Sequence, residues 1–151
     1  MKSASFVSSR RPSTSLIALV GLVAVVGCGK HEVNTVPVEG RITLEGGEWP
    51  ATGLITFAPK EPAAGYPRRA GQAIFQPDGS FHATTFSTGD GLIPGKYSVN
   101  IRCVSSTTQD ISKGVNHVPA KYQRGESSGF EVVVPADDSE TIKVEFNVPK
   151  S

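Results

Sequence analysis

The sequence has no cluster of positive charge and few histidines, and both shortages exclude classes of protein. Lysine and arginine total 15 against 14 aspartates and glutamates, and no basic run is longer than Arg68-Arg69. Nucleic-acid-binding proteins carry a basic patch or stripe, so that class is disfavoured. The three histidines, His31, His82 and His117, lack the short spacing of metal ligands. We therefore expect no nucleic-acid partner, no metal and no cofactor.

Aromatic residues and helical periodicity are scarce as well. Phe, Tyr and Trp make up 7% of the chain, against 16 glycines and 11 prolines. No stretch repeats its apolar residues with the period of an amphipathic helix. This balance is typical of a loop-rich all-β domain. A chain of 151 residues has room for one such domain.

The clearest strand pattern lies at residues 96–103, where apolar and polar side chains alternate. The apolar positions are Tyr97, Val99, Ile101 and Cys103. A period of two in β-branched and aromatic residues predicts a strand that buries one face. Turn-forming residues crowd the segment 89–95 just before it, and we expect Asp90 to cap a turn there. We interpret this strand as the central one of a small β-sandwich.

Shorter alternating runs raise the expected number of strands to about seven. The first run, 36–44, contains Gly40 in register, which indicates a kink or a bulge. Residues 77–80, Pro-Asp-Gly-Ser, predict a hairpin turn because proline fixes φ and glycine accepts a positive φ. Residues 130–134 and 142–148 are expected to form a last hairpin around the acidic segment between them.

A polar, irregular segment at 104–125 is long for a loop in a compact domain. Its first part, 105–114, has small polar residues and no apolar repeat, so we expect it to be mobile and to face a partner. Its exit differs. Val118, Pro119 and Tyr122 are expected to dock on the sandwich, where the Tyr122 ring covers the core.

The first 27 residues carry three basic residues and no acidic one, and they include an apolar run at 16–26. A basic region followed by an apolar one is typical of a secretory signal. As a helix the apolar run spans roughly 16 Å, about half the hydrocarbon core of a bilayer, so a permanent transmembrane helix is disfavoured. We expect residues 1–27 to form a signal helix that is cleaved.

The residues around the expected cleavage site, Val25-Val26-Gly27-Cys28, resemble the bacterial lipobox. The resemblance implies cleavage between Gly27 and Cys28 and attachment of a diacylglyceryl group to the Cys28 sulfur. Burial of the acyl chains, at about 0.8 kcal/mol per CH₂, then holds the protein on a membrane. Residues 28–35 are the expected tether. The alternative is an ordinary signal peptide with an incidental cysteine.

The second cysteine, Cys103, falls on the inward face of the predicted central strand. If Cys28 is lipidated, Cys103 has no partner in the chain. We then expect a buried thiol that packs as a small apolar side chain. A Cys28–Cys103 disulfide is the competing pairing.

Several segments of the predicted sandwich resemble the carboxypeptidase-regulatory-like, transthyretin-like domains, and the chain resembles the small planctomycete-type lipoproteins that carry them. The matching positions are Gly40, Ile42, Gly46, Ile55, Phe57, Asp78, Gly79, Phe81, Gly95, Tyr97 and Val99. The resemblance covers residues 36–148 and implies one Ig-like or transthyretin-like β-sandwich. Because the matching residues form turns and core, the resemblance implies no chemistry.

From these features we expect a non-enzymatic binding module of a bacterial cell envelope, anchored by lipid on the periplasmic or the surface face. Its partner is expected to be a protein or a glycan. Trp49 and Tyr66 fall in predicted loops, where exposed rings stack on sugars, with packing over the end of the sandwich as the alternative. The alternative function is an envelope hydrolase of transthyretin-like fold with an unrecognised site.

The variant Cys28→Ala lacks the thiol that a diacylglyceryl group requires, so it should take up no palmitate and be either released from the membrane or left unprocessed. The measurement is metabolic labelling with radioactive palmitate followed by fractionation. Cys103→Ala is the matched control, because that thiol is expected to be buried and should not affect labelling. Palmitate in Cys28→Ala would contradict the lipobox interpretation.

Overall fold

The computed structural model describes residues 33–106, 114–137 and 140–150. They belong to one compact unit, Glu32–Ser151, and form an all-β sandwich, as the sequence predicts. None of the helices in these ranges is long and apolar enough to cross a membrane. The predicted signal helix at 1–27 lies outside the described residues.

Short strands dominate the described ranges. They are β1 (Val38–Leu44), β2 (Gly53–Pro62), β3 (Gly71–Phe75), β4 (Ser80–His82), β5 (Gly95–Arg102), β6 (Val104–Ser105), β7 (Val115–Asn116), β8 (Glu131–Val134) and β9 (Ile142–Val148). A 3₁₀ turn spans Ala120–Gln123, and the single-turn helix α1 spans Gly125–Ser128.

The longer strands form two sheets with the core between them. One sheet has the order β4-β1-β9 and the other β3-β2-β5-β8, while β6 and β7 pair as a separate ribbon. β5 lies between β2 and β8, which confirms its prediction as a central strand. Its inward side chains are buried as predicted, namely Tyr97, Val99 and Ile101, with Cys103 just beyond its end.

The core is filled by alternate side chains from both sheets. Ile42 of β1 and Phe57 of β2 have no exposed surface. Trp49 joins them, because its ring centroid lies 4.9 Å from that of Phe75 and its Nε1 donates a 2.9 Å hydrogen bond to Ile42 O. Burial at about 25 cal/mol per Å² of apolar surface makes these side chains the main source of stability.

The first and last strands lie side by side in parallel. β1 and β9 pair continuously from Val38–Ile142 to Leu44–Val148. Gly40 sits inside this regular ladder, so the kink or bulge predicted there is wrong. Glycine is required for another reason: a Cβ on Gly40 would lie 1.8 Å from Val144 O of β9.

The turn at 77–80 is confirmed by a 2.8 Å hydrogen bond from the Gly79 N–H to Gln76 O and by the positive φ of Gly79. The hairpin around it is incomplete. Thr84, which follows β4, forms an isolated bridge with Gln72 of β3, but the residues of β4 pair with β1. The chain therefore crosses here from one sheet to the other.

The predicted last hairpin is wrong. β8 pairs antiparallel with β5, whereas β9 pairs with β1 in the other sheet. Val132 and Val134 face the core from one side, and Phe146 and Val148 face it from the other. The alternating pattern determines which side chains are buried but does not choose the neighbouring strand. The acidic segment between these strands connects the two sheets.

The chain joins the sandwich through a backbone pair between Val36 and Leu92, whose N–H groups donate to each other's carbonyl at 2.8 and 2.9 Å. We term this end of the sandwich the tether end. Its loops include 63–70 and 83–94, together with residues 135–137 and 140–141 between β8 and β9. The far end carries the loop 45–52, the turn at 77–80 and the β6–β7 ribbon.

The segment 104–125 contains more regular structure than predicted, since β6 pairs with β7 and the 3₁₀ turn follows. Residues 107–113, which hold most of the predicted mobile part, lie outside the described residues. The exit docks as predicted. Val118 and Tyr122 are buried, and the Tyr122 ring stacks on Phe130 with centroids 5.1 Å apart.

Tyr97→Ala should lower the free energy of unfolding by about 3–5 kcal/mol, because it removes a ring that is 2% exposed. The measurement is urea unfolding of residues 32–151. Tyr97→Phe is the matched control. It removes only the hydroxyl that donates a 2.6 Å hydrogen bond to Ile93 O, and it should cost about 1 kcal/mol. A loss below about 1 kcal/mol in Tyr97→Ala would place the ring on the surface.

The wild type and Tyr97→Phe should also differ in the pH dependence of their stability. Burial raises the pKa of Tyr97 from 10.0 to about 12, so the folded state resists deprotonation. The stability that Tyr97 contributes is complete below pH 10 and should be lost as the pH rises towards 12. Tyr97→Phe should lack this part of the alkaline loss. Identical alkaline curves for the two proteins would contradict the assignment.

Candidate binding groove

A groove of about 720 Å³ lies on the outer face of the four-stranded sheet. Its floor includes Ala58 of β2 and Ser98 of β5, which pair with each other, and Glu131 of β8 pairs with Ser98 on the other side. The polar lining residues are Lys60, Arg68, Ser98, Asn100, Gln123, Arg124, Glu126 and Glu131. Arg68 comes from a loop at the tether end, and residues 123–129 form the opposite wall.

Two glycines let this wall lie close to the sheet. A Cβ on Gly125 would come within 2.6 Å of Ser98 Oγ, so a larger residue would push the wall outward. Gly129 follows α1 with a φ of 75°, a left-handed conformation that glycine adopts at little cost. The close approach buries Ser98 on the outward face of β5 and gives the groove its depth.

The charges of the groove are only partly paired. Lys60 Nζ forms a salt bridge with Glu131 Oε1, and its hydrogen bond and positive charge lower the pKa of the Glu131 carboxyl. Arg68 and Arg124 differ, because neither guanidinium has a hydrogen-bond or salt-bridge partner within the described residues. Glu126 is the remaining acidic residue of the lining, so positive charge is in excess.

Two side-chain amides add directional groups. Asn100 is half-buried in the groove, and its amide has no partner among the residues that the structure describes. Gln123 Nε2 donates a 2.7 Å hydrogen bond to Val118 O, which fixes the amide and leaves its oxygen able to accept. An amide offers donors and acceptors together, as a ligand with hydroxyl groups requires.

A second feature is the loop 83–94 at the tether end, which Asp90 organises. The Asp90 carboxylate accepts backbone hydrogen bonds from Thr85, Phe86 and Ser87 at 2.7, 2.9 and 3.0 Å. Burial alone would raise the pKa of Asp90, but these bonds outweigh it and the pKa is lowered. The prediction that Asp90 caps a turn is confirmed.

The tip of this loop carries Phe86, whose side chain is 49% exposed. The guanidinium carbon of Arg69 lies 4.6 Å from the centroid of the Phe86 ring, within the range of a cation–π contact. The neighbouring Arg68 lines the groove instead. The adjacent arginines Arg68 and Arg69 thus serve different surfaces.

A serine and a histidine meet at the far end. Ser105 Oγ lies 2.7 Å from His117 Nε2 across the β6–β7 ribbon. Such a pair is one component of nucleophilic sites. In the described part of the chain no carboxylate is bonded to His117. Sequence spacing gives no sign of the pair, because only the pairing of two short strands joins residues 12 positions apart.

The two aromatic residues singled out from the sequence lie at opposite ends of the sandwich. Trp49 is 3% exposed and packs in the core, so its prediction as a sugar-stacking ring is wrong and the packing alternative holds. Its indole N–H is satisfied by Ile42 O, which makes burial inexpensive. Tyr66 is half-buried in a loop at the tether end, the end opposite Trp49. Neither residue lines the groove.

The predicted lipidation and cleavage residues, Cys28 and Gly27, lie outside the described residues. Cys103 is a free thiol with 1% exposure, as predicted, and its Sγ lies 3.5 Å from Ala51 O. Burial raises the pKa of the Cys103 thiol, which makes it a poor nucleophile. Over residues 33–106, 114–137 and 140–150 no group of three or more His, Cys, Asp or Glu could hold a metal ion.

Comparisons with protein-family models, with curated proteins and with solved structures give no match. The resemblance to transthyretin-like lipoproteins therefore stays a prediction.

Proposed function

We propose that this protein is a lipid-anchored β-sandwich of the bacterial cell envelope that binds an acidic glycan in the groove. It acts as a binding module, and Cys28 supplies the anchor. The observation that carries the proposal is that Arg68 and Arg124 bring to one groove two guanidinium groups that have no partner among the described residues, beside the Asn100 amide, which likewise has none there.

The arginines favour an anionic ligand. A guanidinium presents a planar fork of donors that matches a carboxylate with two parallel hydrogen bonds. Glu126 and Glu131 line the same groove, so a densely charged polyanion would meet repulsion. A ligand with carboxylates spaced between neutral groups fits both signs of charge.

The rest of the lining favours a glycan over a protein. Protein interfaces draw most of their affinity from a few buried anchors, which are most often aromatic rings accompanied by arginine. The described lining of the groove offers hydroxyl, amide and charged side chains with only small apolar residues such as Ala58 and Pro59. Asn100 and Gln123 can exchange hydrogen bonds with the hydroxyl groups of a sugar.

The test is calorimetric titration of residues 32–151 with a uronate oligosaccharide. Arg68→Gln and Arg124→Gln should each weaken binding about two- to fivefold, because an exposed charge contact contributes roughly 0.4–1 kcal/mol. Arg102→Gln is the matched control. Arg102 is an exposed arginine of β5 that does not line the groove, and its replacement should leave affinity unchanged.

The ligand supplies a second control. The methyl ester of the same oligosaccharide keeps the hydroxyl groups but lacks the charge, so it should bind weakly and equally to all four proteins. Equal affinities of the wild type and the Arg68→Gln, Arg124→Gln double variant for the uronate would contradict the proposed site.

A second candidate function, hydrolysis, is favoured by the Ser105–His117 pair. If Ser105 is a nucleophile activated by His117, a fluorophosphonate probe should label the wild type, and Ser105→Ala and His117→Ala should both lose the label. Ser87→Ala, which changes an exposed serine of the loop 83–94, is the control. A wild-type protein that takes up no probe would contradict this candidate.

A further inference from the structure

We infer that the tether end of the sandwich rests on the membrane surface, with the Phe86 ring in the interfacial layer of the bilayer. The inference rests on the proposed lipid anchor at Cys28 and adds a second contact with lipid, made by the folded domain itself. It concerns a surface separate from the glycan groove, since Phe86 and Arg69 do not line that groove.

The length and attachment of the tether bring this end close to lipid. The stretch from Cys28 to Val36 reaches at most about 29 Å when extended and about 14–17 Å on average as a flexible chain. Val36 pairs with Leu92, so the loop 83–94 is fixed beside the point where the tether joins. The far end lies beyond the length of β1, about 23 Å further away.

The Phe86 side chain has the chemistry of an interfacial residue. Its ring is half exposed to water, and the guanidinium of Arg69 lies over it. At a bilayer surface the ring can enter the boundary between headgroups and acyl chains while the guanidinium meets the phosphates. The pair therefore suits an environment that is apolar on one side and anionic on the other.

The loop is rigid enough to present this ring without a large ordering cost. Three backbone hydrogen bonds to Asp90 fix residues 85–87, and Thr84 Oγ1 accepts a further one from the Gly89 N–H at 2.9 Å. A preorganised contact loses less entropy on binding. One ring binds weakly alone, but the anchor makes the contact intramolecular, at an effective concentration of roughly millimolar.

The charges of the tether end show that the contact depends on the ring. The loops at this end carry both signs of charge, Arg68 and Arg69 against Asp137 and Glu140, and the Lys96 ammonium is paired with Glu61 at 3.2 Å. This mixture does not favour attraction to an anionic membrane. Insertion of Phe86 should therefore occur in zwitterionic lipid and persist in high salt, where ionic attraction is screened.

The experiment uses the full lipoprotein, purified with its acyl chains and reconstituted in phosphatidylcholine vesicles with plain or brominated acyl chains. Phe86→Trp places a fluorophore at the tether end. The wild type carries one tryptophan, Trp49, buried at the far end, and Val115→Trp is the matched control at a far-end position that is 60% exposed. Bromine quenches only a tryptophan that reaches the acyl region.

The emission of Phe86→Trp should fall about twofold in brominated vesicles and shift to the blue, because an interfacial side chain sits 5–10 Å into the boundary region. The wild type and Val115→Trp should change little, and 1 M NaCl should not restore the emission of Phe86→Trp. Equal quenching of Phe86→Trp and Val115→Trp in vesicle-bound protein, or quenching that salt abolishes, would overturn the inference and leave the anchor and the groove intact. If the purified protein carries no acyl chains and does not float with the vesicles, the proposed anchor at Cys28 is wrong, and this inference is wrong with it.

Discussion

The parallel pairing of the first strand with the last is the constraint on which the rest of the structure depends. β1 and β9 approach so closely that Gly40 has no room for a Cβ beside Val144 O. A parallel pair cannot be closed by a hairpin, so the chain between the two strands must pass through the other sheet and return. That path puts β8 at the edge of the four-stranded sheet and lays residues 123–129 along its outer face. The groove is a consequence of this return path.

The same pairing separates the surfaces that we assign to lipid and to glycan. Because β1 begins where the tether joins, the loop that carries Phe86 lies at the tether end, and the core residue Trp49 closes the far end. Arg68 and Arg124 lie on the outer sheet face, to one side of this axis. A domain held to the bilayer by its anchor and by Phe86 would leave that face open to the envelope.

Local pattern was sufficient to predict the all-β class and the buried face of β5, since burial of one face of a strand requires a period of two. The local pattern could not predict which strands pair, because β8 and β9 show the same alternation of apolar and polar side chains and yet lie in different sheets. Trp49 precedes a proline and so resembles a loop residue, but Ile42 O satisfies its N–H and permits burial. Arg68 and Arg124 are far apart in the sequence, and only the fold brings them to one groove.

The most direct test of glycan binding in the groove is NMR mapping of isotopically labelled residues 32–151 during titration with a uronate oligosaccharide. Side-chain signals of arginine, asparagine and glutamine are resolved from the backbone, so the ligand's position can be read from them. We predict that the largest shifts fall on the Arg68 and Arg124 guanidinium groups and on the Asn100 and Gln123 amides. Shifts confined to the Phe86 loop or to the β6–β7 ribbon, or no shifts at all, would contradict the account.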